Sequence, residues 1–434
     1  MKRVILHIDF DSFFASCEQQ FDEKLRGKPI GVTATNGRTC IIAASKEAKK
    51  LGIPSVTRVW EARKVCPQLI TVPAQFEKYW EITKLFLNIC KDYSPYVELF
   101  SLDEVFIDIT GTENLFGSRY KVVETIKGRV EKEIGQYITV SVGLSYNRLL
   151  AKLASGMNKP NARLAEDGES RQGFVQVEPE DLEEVYSRVK LTDFCGIGLR
   201  IEKRLNKIGI YTPLQLRSAP LDELIAEFKD VEGHFLKKLG QGEDDSEVIP
   251  YYMEGETKSV GRSYCLPKNE YSQRVILQNV FELCEEIGIK LRRLNKKAKT
   301  IGLYLGGAKT HHGRKTGSVY IDSGKDIFGV CKVLYDEWGL ENLPREEGMV
   351  RQISVWAGNL EEGNSLTLSL FDSVAKNPKI QKAMDEINEK FGDHTIRNGF
   401  VWDSPNLKTV PNGYMADKFE RQKIVKDFKD YIQN

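Results

Sequence analysis

Two short stretches decide the fold: Lys2–Ser12, which reads KRVILHIDFDS, and Ser101–Ile109, which reads SLDEVFIDI. In the first, a nearly unbroken run of aliphatic residues predicts a buried strand over Lys2–Ile8. In the second, the SLDE segment predicts a tight connection between strands at Tyr96–Phe100 and Val105–Ile109. The sequence therefore places acidic residues at the ends of strands of one small sheet.

Helical patterns surround these strands. Apolar spacing and stop signals predict helices at Ser12–Phe21, Ser45–Leu51, Glu77–Tyr93, Tyr120–Ile134 and Asn147–Met157. A further strand is predicted at Ile138–Leu144. In chain order this gives β-α-β-β-α-β, the ferredoxin-like arrangement, with the segment between Ser12 and Phe76 as an insertion.

The second half of the chain separates into smaller units. Leu191–Leu216 predicts a helical module that contains FCGIG and the basic helix Leu199–Lys207. Gly240–Glu256 is acidic and contains glycine, as expected of a linker. Thr257–Trp356 alternates strands with two helices and predicts a second α+β unit, and the polar tail has a helical pattern at Ile380–Phe391.

Composition excludes several classes of protein. The chain has 434 residues, of which 41% are hydrophobic and 29% charged, which favours several folded domains over disorder. The net charge is only +1, but Lys258–Lys315 holds 13 Lys/Arg against 4 Asp/Glu. A local basic stripe of this kind is typical of a surface that binds nucleic acid.

Cysteine usage and hydropathy bear on the compartment. No two of the eight cysteines have CxxC spacing, as expected of a reduced cytosolic chain without structural zinc. No apolar run has the length of a membrane span. Asp9 and Asp11 interrupt the N-terminal apolar run, which predicts a strand and not a signal peptide.

The acidic residues form the main candidate site. Asp9 and Asp11 are two apart on a strand, and Asp103 and Glu104 occupy the hairpin tip. We expect the first strand to lie beside the first hairpin strand, so that the two pairs converge. Such carboxylates need a cation, and oxygen ligands favour Mg²⁺ or Mn²⁺. Two such ions suit in-line phosphoryl transfer.

A plainer interpretation exists for each residue alone. Asp11 would cap the helix that begins at Ser12, and Asp103 and Glu104 would be ordinary turn residues. Taken together on the predicted topology, the acidic residues favour the metal site.

Basic and aromatic residues nearby suit a nucleotide. Lys159 lies just before a proline, and Lys46 and Lys49 share one helix face, so all three could contact a triphosphate. Phe14 could lie under the sugar and exclude a 2′-hydroxyl. The alternatives are a solvated basic helix face and an ordinary core aromatic.

Four motifs together resemble a known family. They are HIDFDSFFASCE at residues 7–18, SLDEVFID at 101–108, GLSYNRLLAKLASGMNKPN at 143–161 and FCGIG at 194–198. In this order and spacing they look like the Y-family DNA polymerases of the DinB/UmuC group. The resemblance runs from Met1 to about Trp356, and its first three motifs are highly specific.

The resemblance implies an α+β protein shaped like a right hand. The expected parts are a palm (1–11 and 77–165), inserted fingers (12–76), a helical thumb with a helix-hairpin-helix (166–240), a linker (241–256), an α+β little finger (257–357) and a C-terminal tail (358–434). It also implies roles for single residues, as follows: Asp9, Asp103 and Glu104 are metal carboxylates, the Phe10 carbonyl is a further metal ligand, Phe14 is the steric gate, and Lys159 contacts the triphosphate. Asp11 is not normally a principal ligand.

Two departures from the family pattern stand out. Lys46 and Lys49 replace the usual Tyr and Arg of the fingers helix, so charge is kept while the aromatic hydroxyl and the planar fork are lost. Residues 367–371 read TLSLF where relatives often carry a QLSLF-type clamp motif. The apolar anchors Leu368, Leu370 and Phe371 remain, which predicts binding to a sliding clamp. The alternative is an apolar tail segment that packs on its own domain.

The DNA contacts are expected outside the palm. Amides at Gly196 and Gly198 would bind a phosphate at a helix N-terminus. Basic side chains of the little finger would contact the DNA backbone without regard to sequence. They are Lys258 and Arg262 on one strand face, Arg351 on another strand, and Lys309, Arg314 and Lys315 in a Gly/His-rich loop.

The sequence therefore predicts a template-directed DNA polymerase that uses two Mg²⁺ ions, or Mn²⁺ in their place. We expect low fidelity and synthesis past damaged bases, because the fingers insertion is short and no segment could house a proofreading nuclease. The expected partners are primer–template DNA, dNTP and a sliding clamp. The chain is expected to be a monomer in the cytoplasm at the nucleoid, away from membranes.

Three alternatives stay open at this point. One is a nucleotide cyclase built on a similar sheet. Another is a nucleotidyl transferase restricted to one preferred nucleotide. The third is a non-catalytic DNA-binding scaffold that recruits other polymerases.

Overall fold

The computed structural model describes residues 3–34, 40–159, 173–253, 257–340, 343–344, 346–363, 378–391 and 395–403. The chain divides into two compact units, with the boundary after residue 254. Both units contain helices packed on sheets, so the predicted α+β class is confirmed.

The first unit contains the following elements in chain order: β1 (Ile5–Phe10), α1 (Phe13–Phe21), β2 (Ile30–Thr33), β3 (Ile41–Ala44), α2 (Lys46–Lys50), α3 (Val59–Val65), β4 (Ile70–Pro73), α4 (Phe76–Lys91), β5 (Tyr96–Leu99), β6 (Glu104–Asp108), α5 (Arg119–Arg129), β7 (Val140–Ser145), α6 (Arg148–Met157), β8 (Val175–Val177), α7 (Leu182–Arg188), α8 (Leu199–Lys207), α9 (Pro213–Ser218), α10 (Leu221–Phe228) and α11 (Asp230–Gln241).

The central sheet of this unit, called the palm sheet below, has the strand order β5-β6-β1-β7-β8. Every residue of β1 is buried, because neighbouring strands flank it and side chains fill both faces. Ile8 and Phe10 belong to the same core as Phe86 on α4 and Val122 on α5. The predicted ferredoxin-like arrangement is confirmed, and β8 adds a parallel strand beside β7.

One predicted pairing was wrong. The expectation placed β1 beside the first hairpin strand, but β1 pairs with β6, the second one, and β5 lies at the edge. The connection through α4 brings β5 back parallel to β1, which leaves a gap that the antiparallel β6 fills. Both hairpin strands meet at the same turn, so the acidic turn still lies at the end of β1.

The segment predicted to form the fingers has a small sheet of its own, in the order β3-β2-β4. Helix α2 begins after Ser45, whose Oγ accepts a hydrogen bond from the Ala48 amide. It stops before Gly52, which adopts a φ of 83° that side chains disfavour. These start and stop residues position Lys46 and Lys49 on one short, well-defined helix.

The segment after α11, predicted as a linker, packs on the palm through residue 251. Val248 is buried with Ile5, and the Tyr251 amide donates to the Val97 carbonyl at 2.7 Å. Arg148 donates to one oxygen of Glu98 at 2.7 Å, and the other oxygen accepts from the backbone amide of residue 249 at 2.9 Å. This stretch is therefore part of the first unit.

The second unit contains β9 (Ser259–Glu270), α12 (Gln273–Arg293), β10 (Lys296–Gly307), β11 (Thr310–Ile321), α13 (Gly324–Glu337), β12 (Val350–Glu362) and α14 (Pro378–Phe391). Its sheet is antiparallel in the order β11-β10-β12-β9. Helices α12 and α13 cover one face, and their apolar residues join those of β10 and β12 in one core. The predicted pair of helices is confirmed.

Part of the C-terminal tail packs on α12. Arg292 forms two hydrogen bonds with the Asp385 carboxylate of α14, at 2.6 and 2.8 Å. Arg397 pairs with Glu282, which is almost fully buried. The Phe400 ring lies 5.7 Å from the Phe281 ring. This part of the tail therefore belongs to the second unit.

None of the eight cysteines is in a disulfide, although Cys284 and Cys331 have sulfur atoms 3.8 Å apart in the second core. In the part of the chain that the structure describes, no helix combines the length and the apolar character needed to cross a membrane.

Candidate active site

The register of β1 and β6 brings the acidic residues together. Asp9 lies directly opposite Glu104, and the Phe10 amide donates to the Asp103 carbonyl at 2.9 Å. Asp9 is 4% exposed, because β6 and β7 flank it on both sides. The predicted convergence of Asp9 with the Asp103–Glu104 turn is confirmed.

Asp11 points to a different set of partners. It lies beyond the end of β1, so the alternation of a strand no longer applies to it. Its carboxylate accepts hydrogen bonds from the hydroxyls of Ser141, at 2.6 Å, and Thr139. It does not cap α1, whose N-cap residue is Ser12. Asp11 therefore ties the end of β1 to β7.

Burial and crowding raise the pKa of two of the carboxyls. The pKa of Asp9 is raised to about 7, mainly by burial, with repulsion from Asp103 and Glu104 added and attraction by Lys159 opposing. Burial also raises the pKa of Asp103, although the Ser101 hydroxyl donates to it at 2.5 Å. The protein alone does not place enough positive charge near these two carboxyls to keep their pKa values low.

The surroundings of the third carboxyl, Glu104, have the opposite effect on its pKa. Burial disfavours its ionised form, yet Lys152 Nζ lies 2.6 Å from Oε2 and helps hold the pKa of Glu104 well below its usual range. His7 Nε2 is 3.9 Å from the same oxygen, and its Nδ1 lies 2.6 Å from Ser155 Oγ. Burial lowers the pKa of His7 to about 4, so His7 is neutral at physiological pH.

Side chains of the protein itself bind the three carboxylates in this structure. Among the described residues, no three His, Cys, Asp or Glu side chains lie close enough to form a ready metal centre. Lys159 Nζ lies 2.9 Å from Asp9, Lys152 holds Glu104, and Ser101 holds Asp103. Buried oxygen donors with raised pKa values nevertheless fit a hard divalent cation, which would relieve their repulsion. The fit requires the Lys159 ammonium group to move away from Asp9.

The raised pKa of Asp9 predicts a pH effect on stability. A folded pKa above the ordinary value near 3.8 contributes stability at low pH that is lost as the pH rises through about 7. We therefore expect metal-free wild type to lose more thermal stability between pH 5 and pH 8 than Asp9→Asn. The difference should be a few degrees in Tm, at roughly 2–4 °C per kcal/mol.

Thermal melts in EDTA at the two pH values measure this difference. Asp222→Asn, on the exposed surface of α10, is the matched control and should behave as wild type. An equal loss in wild type and Asp9→Asn would show that Asp9 is already ionised at pH 5.

Three lysines lie near these carboxylates. Besides Lys159, Lys46 Nζ donates to Thr139 Oγ1 at 2.5 Å and lies 3.6 Å from Asp11, and Lys49 Nζ donates to Ser12 Oγ at 2.8 Å. Burial and the neighbouring Lys159 lower the pKa of Lys49. The structure thus brings together the three lysines that the sequence singled out. A group of cations that repel one another suits a polyanion.

Phe14 lies beside this cluster and is wedged between other rings. It stacks on Tyr79 with centroids 4.6 Å apart and an angle of 16°, and Phe76 meets it edge-on at 5.5 Å. Tyr79 is itself fixed by a hydrogen bond of 2.5 Å from its hydroxyl to Glu18. The ring is half-buried, so packing holds it while part of it stays accessible.

Backbone geometry explains why glycines occupy two positions of the predicted helix-hairpin-helix. Gly196 has a φ of 104°, and a side chain there would collide with the Phe235 ring. Gly198 is the N-cap residue of α8. Both are exposed, so their amides are accessible to a phosphate, and their role in DNA binding stays a prediction.

The structure corrects two predictions for the little finger. Arg262 faces α12, where its Nε lies 3.1 Å from Glu286 and its side chain is 16% exposed, so it is poorly placed for a DNA contact. The Gly/His-rich stretch is not a loop but the edge strand β11, because its backbone pairs with β10. Arg314 and Lys315 lie on this strand and point to opposite faces.

The remaining basic residues differ in their surroundings. Lys315 Nζ lies 2.5 Å from Glu337 on α13, Lys258 is exposed just before β9, and Arg351 donates to the Leu266 carbonyl. Their DNA contacts stay predictions. The clamp-type anchors Leu368, Leu370 and Phe371 lie outside the described residues.

Sequence reasoning missed the residues that surround Glu104. Lys152, Ser155 and His7 form this group, and 48 residues separate Lys152 from Glu104. The available signal was Lys152 itself, a lysine on the predicted helix Asn147–Met157 only seven residues before Lys159.

Comparison with known proteins agrees with this arrangement. Residues 8–156 match the impB/mucB/samB family, and residues 257–370 match its C-terminal domain. The protein named DNA polymerase IV of Moorella thermoacetica is 32% identical over 90% of this chain and 94% of its own length. The DNA polymerase IV of Bacillus velezensis is 30% identical over 97% of this chain and 98% of its own length.

Solved structures show the same fold. A Y-family DNA polymerase chimera, Dbh-Dpo4(243-245)-Dbh, aligns with a TM-score of 0.68 at 24% identity, over 82% of this chain and 98% of that one. DinB from Sulfolobus solfataricus aligns over the same shares at a TM-score of 0.51 and 24% identity. From the family matches and the identity to these relatives, the chain belongs to the Y-family DNA polymerases of the DinB/UmuC group.

Proposed function

We propose that this chain adds deoxynucleotides to a primer 3′ end under the direction of a template strand, with low fidelity and past damaged template bases. The observation that carries the proposal is the pairing of Asp9 with Glu104 across β1 and β6, with Asp103 at the same buried end. Carboxylates can bind the metal cations of this reaction, and the lysines beside them can bind its triphosphate.

Asp9, Asp103 and Glu104, with the Phe10 carbonyl, would hold two divalent cations, which we take to be Mg²⁺ or Mn²⁺. When bound, these cations supply activation of the primer 3′-hydroxyl and neutralisation of charge on the phosphates. The chain's part is to hold the three carboxylates close together and to supply compensating positive charge. Lys152 does this for Glu104 by its ion pair.

The lysines would bind the triphosphate. Lys159 now pairs with Asp9, and Lys46 and Lys49 bind Thr139 and Ser12. As the cations take the carboxylates, the ammonium groups become available to phosphate oxygens. Phe14 would lie beside the sugar, where its ring leaves no room for a 2′-hydroxyl.

Lys159→Ala is expected to raise KM for dNTP by roughly ten- to a hundredfold, which is the usual cost of losing one hydrogen bond to a charged group. Lys159→Arg should recover most of the loss, because it restores the charge. Steady-state incorporation of one nucleotide measures both. Lys50→Ala, on the exposed side of α2, should match wild type. A normal KM in Lys159→Ala would remove this residue from the triphosphate site.

Weak selection of the incoming base follows from the size of the fingers. In the described residues they contain a three-stranded sheet and three short α-helices, α1, α2 and α3, none longer than nine residues. A lid this small can enforce little geometric selection on the nascent base pair. The same looseness would admit a damaged template base.

The alternative functions differ in what they need. A restricted nucleotidyl transferase would use the same carboxylates, and Lys46 with Lys49 is the feature that would distinguish it. A non-catalytic scaffold would not need Asp9, Asp103 and Glu104 so close together at one buried sheet end. A cyclase would need neither a helix-hairpin-helix nor a second unit.

Primer extension on an undamaged template and on one with an abasic site tests the proposal. We expect extension on both, with dNTP chosen by the template on the first. Addition of one preferred nucleotide whatever the template would support the restricted transferase. DNA binding without extension in Mg²⁺ or Mn²⁺ would support the scaffold.

Primer–template DNA and dNTP are the substrates that this function requires. Binding to a sliding clamp, the monomeric state and a place in the cytoplasm at the nucleoid stay predictions.

A further inference from the structure

His7 is a fully buried polar residue in the middle of the apolar strand β1. It lies two residues before Asp9, so the two side chains point to the same face of the palm sheet. Its ring centroid lies 4.5 Å from that of Phe106, its cross-strand neighbour on β6. An aliphatic side chain would fill this position without the cost of burying a polar ring, so the two ring nitrogens of His7 need an explanation.

Helix α6 supplies a partner for one of these nitrogens. Gly143 is the neighbour of His7 on β7. A methyl group placed on this glycine would lie 2.1 Å from the Ala151 carbonyl oxygen and 2.3 Å from the Ser155 nitrogen, so the glycine allows the helix to lie close to the sheet. Ser155 Oγ consequently lies 2.6 Å from Nδ1 of His7. The ring is therefore fixed at one end by α6.

The Ser155 hydroxyl also determines which ring nitrogen of His7 carries the proton. Its oxygen lies 2.8 Å from the Lys152 carbonyl oxygen as well, but that oxygen accepts a hydrogen bond from the amide four residues further along α6. We assign the hydroxyl proton to the shorter contact, the one with Nδ1. Nδ1 is then an acceptor, and the proton of the neutral ring lies on Nε2.

Nε2 of His7 lies beside the acidic site. It is buried and has no hydrogen-bond partner among the described residues. Glu104 Oε2 is 3.9 Å away, about 1 Å beyond the usual hydrogen-bond distance. That oxygen accepts from Lys152 at 2.6 Å and has a second lone pair for another donor. A buried N–H that is left unpaired costs free energy, which a small shift of the carboxylate would recover.

We propose that His7, fixed by Ser155, is a positioning residue for Glu104 when the active site holds its cations. Its Nε2–H donates to Oε2 beside the Lys152 ammonium group, and Oε1 is left for a cation. Carboxylates that bind metal ions are commonly held by a hydrogen bond from a second group, and loss of that group weakens metal binding or activity by roughly ten- to a hundredfold. The inference rests on the proposed function, because it assigns Glu104 to the cation site.

Two substitutions separate the roles of the two nitrogens. The side-chain amide of asparagine reaches the position of Nδ1 and keeps the contact with Ser155, whereas the longer glutamine places its amide near Nε2 and keeps a donor towards Glu104. His7→Asn is therefore expected to raise Kd for Mn²⁺ by roughly ten- to a hundredfold. His7→Gln should recover most of this loss.

Titration of the full chain with Mn²⁺, followed by electron paramagnetic resonance without DNA or dNTP at one fixed pH and salt concentration, measures these constants. His234→Asn is the matched control, because its side chain is 52% exposed on α11, and it should bind Mn²⁺ as wild type does.

A double-mutant cycle tests whether His7 acts through Glu104. Glu104→Ala alone should raise Kd for Mn²⁺. Adding His7→Asn to it should raise Kd no further, because the carboxylate that His7 positions is already gone. A residue that only packs α6 against the sheet would not lose its effect in this background.

A wild-type Kd in His7→Asn, an equal loss in His7→Gln, or additive losses in the double variant would each overturn the proposal. Thermal melts in EDTA show whether each variant is folded. If the His7 variants do not fold, Ser155→Ala decides in their place: it removes the anchor of the ring and should raise Kd for Mn²⁺, so an unchanged Kd would overturn the proposal. Primer extension by wild type, measured separately, shows whether the polymerase function itself holds.

Discussion

Asp103→Ala is expected to lower kcat for primer extension by roughly a thousandfold or more, because the carboxylate that we propose as a ligand of the catalytic cations would account for several kcal/mol of the barrier. The Asp103 backbone carbonyl accepts from the Phe10 amide, a bond that the substitution leaves in place. The turn should therefore keep its path while the site loses one ligand. Single-nucleotide incorporation at saturating dNTP and Mg²⁺ measures the effect.

Asp108→Asn is the matched control for this variant. Asp108 lies at the far end of β6, the strand that follows the Asp103 turn, where its carboxylate accepts from the Thr110 amide at 3.0 Å. Its replacement should leave kcat near that of wild type. Primer–template affinity without dNTP should be the same in all three proteins. If Asp103→Ala extends primers as well as wild type does, the assignment of the active site is wrong.

The second large effect is expected for sugar selection. Phe14→Ala should reduce the preference for dNTP over rNTP by roughly a hundredfold, because we propose that the bulk of that ring excludes the 2′-hydroxyl. The ring cannot be replaced by a neighbour, since Tyr79 and Phe76 are fixed around it. The ratio of kcat/KM for dNTP to kcat/KM for rNTP is the quantity to measure.

Phe21→Ala, on the same helix, provides the control. Phe21 is 53% exposed at the end of α1, so its removal should change neither the ratio nor incorporation of dNTP. An unchanged ratio in Phe14→Ala, together with normal folding, would mean that Phe14 is a core aromatic, the alternative that the sequence left open.

The sequence predicted most of the palm because its signals are local. The apolar run before Asp9 and the turn residues at Asp103 and Glu104 are each contained in a few positions. The order of strands in the sheet is not local, which is why β1 was expected beside the wrong hairpin strand. Convergence of the acidic residues survived this error, since both hairpin strands share one turn.

In the predicted little finger, the alternation of side chains along a strand is not enough to predict which residues contact DNA. It says that two residues of a strand share a face, but not which face meets the helices. Arg262 was therefore taken for a DNA contact, whereas Glu286, a partner on α12, holds it beneath the helix. Lys152 was missed for a related reason, because its pairing with Glu104 depends on the register of α6 against the sheet.

The packing of α14 and the residues after it on α12 has a practical consequence for anyone who shortens this protein. A version that stops at the end of β12 would keep every strand that the structure describes in the second unit, yet Glu282, 1% exposed in the intact chain, would lose its ion pair with Arg397. Phe281 and Phe328 would lose the ring of Phe400 and face water. A buried carboxylate that has lost its arginine, beside newly exposed aromatic surface, favours aggregation, so a minimal soluble fragment has to extend through Asp403.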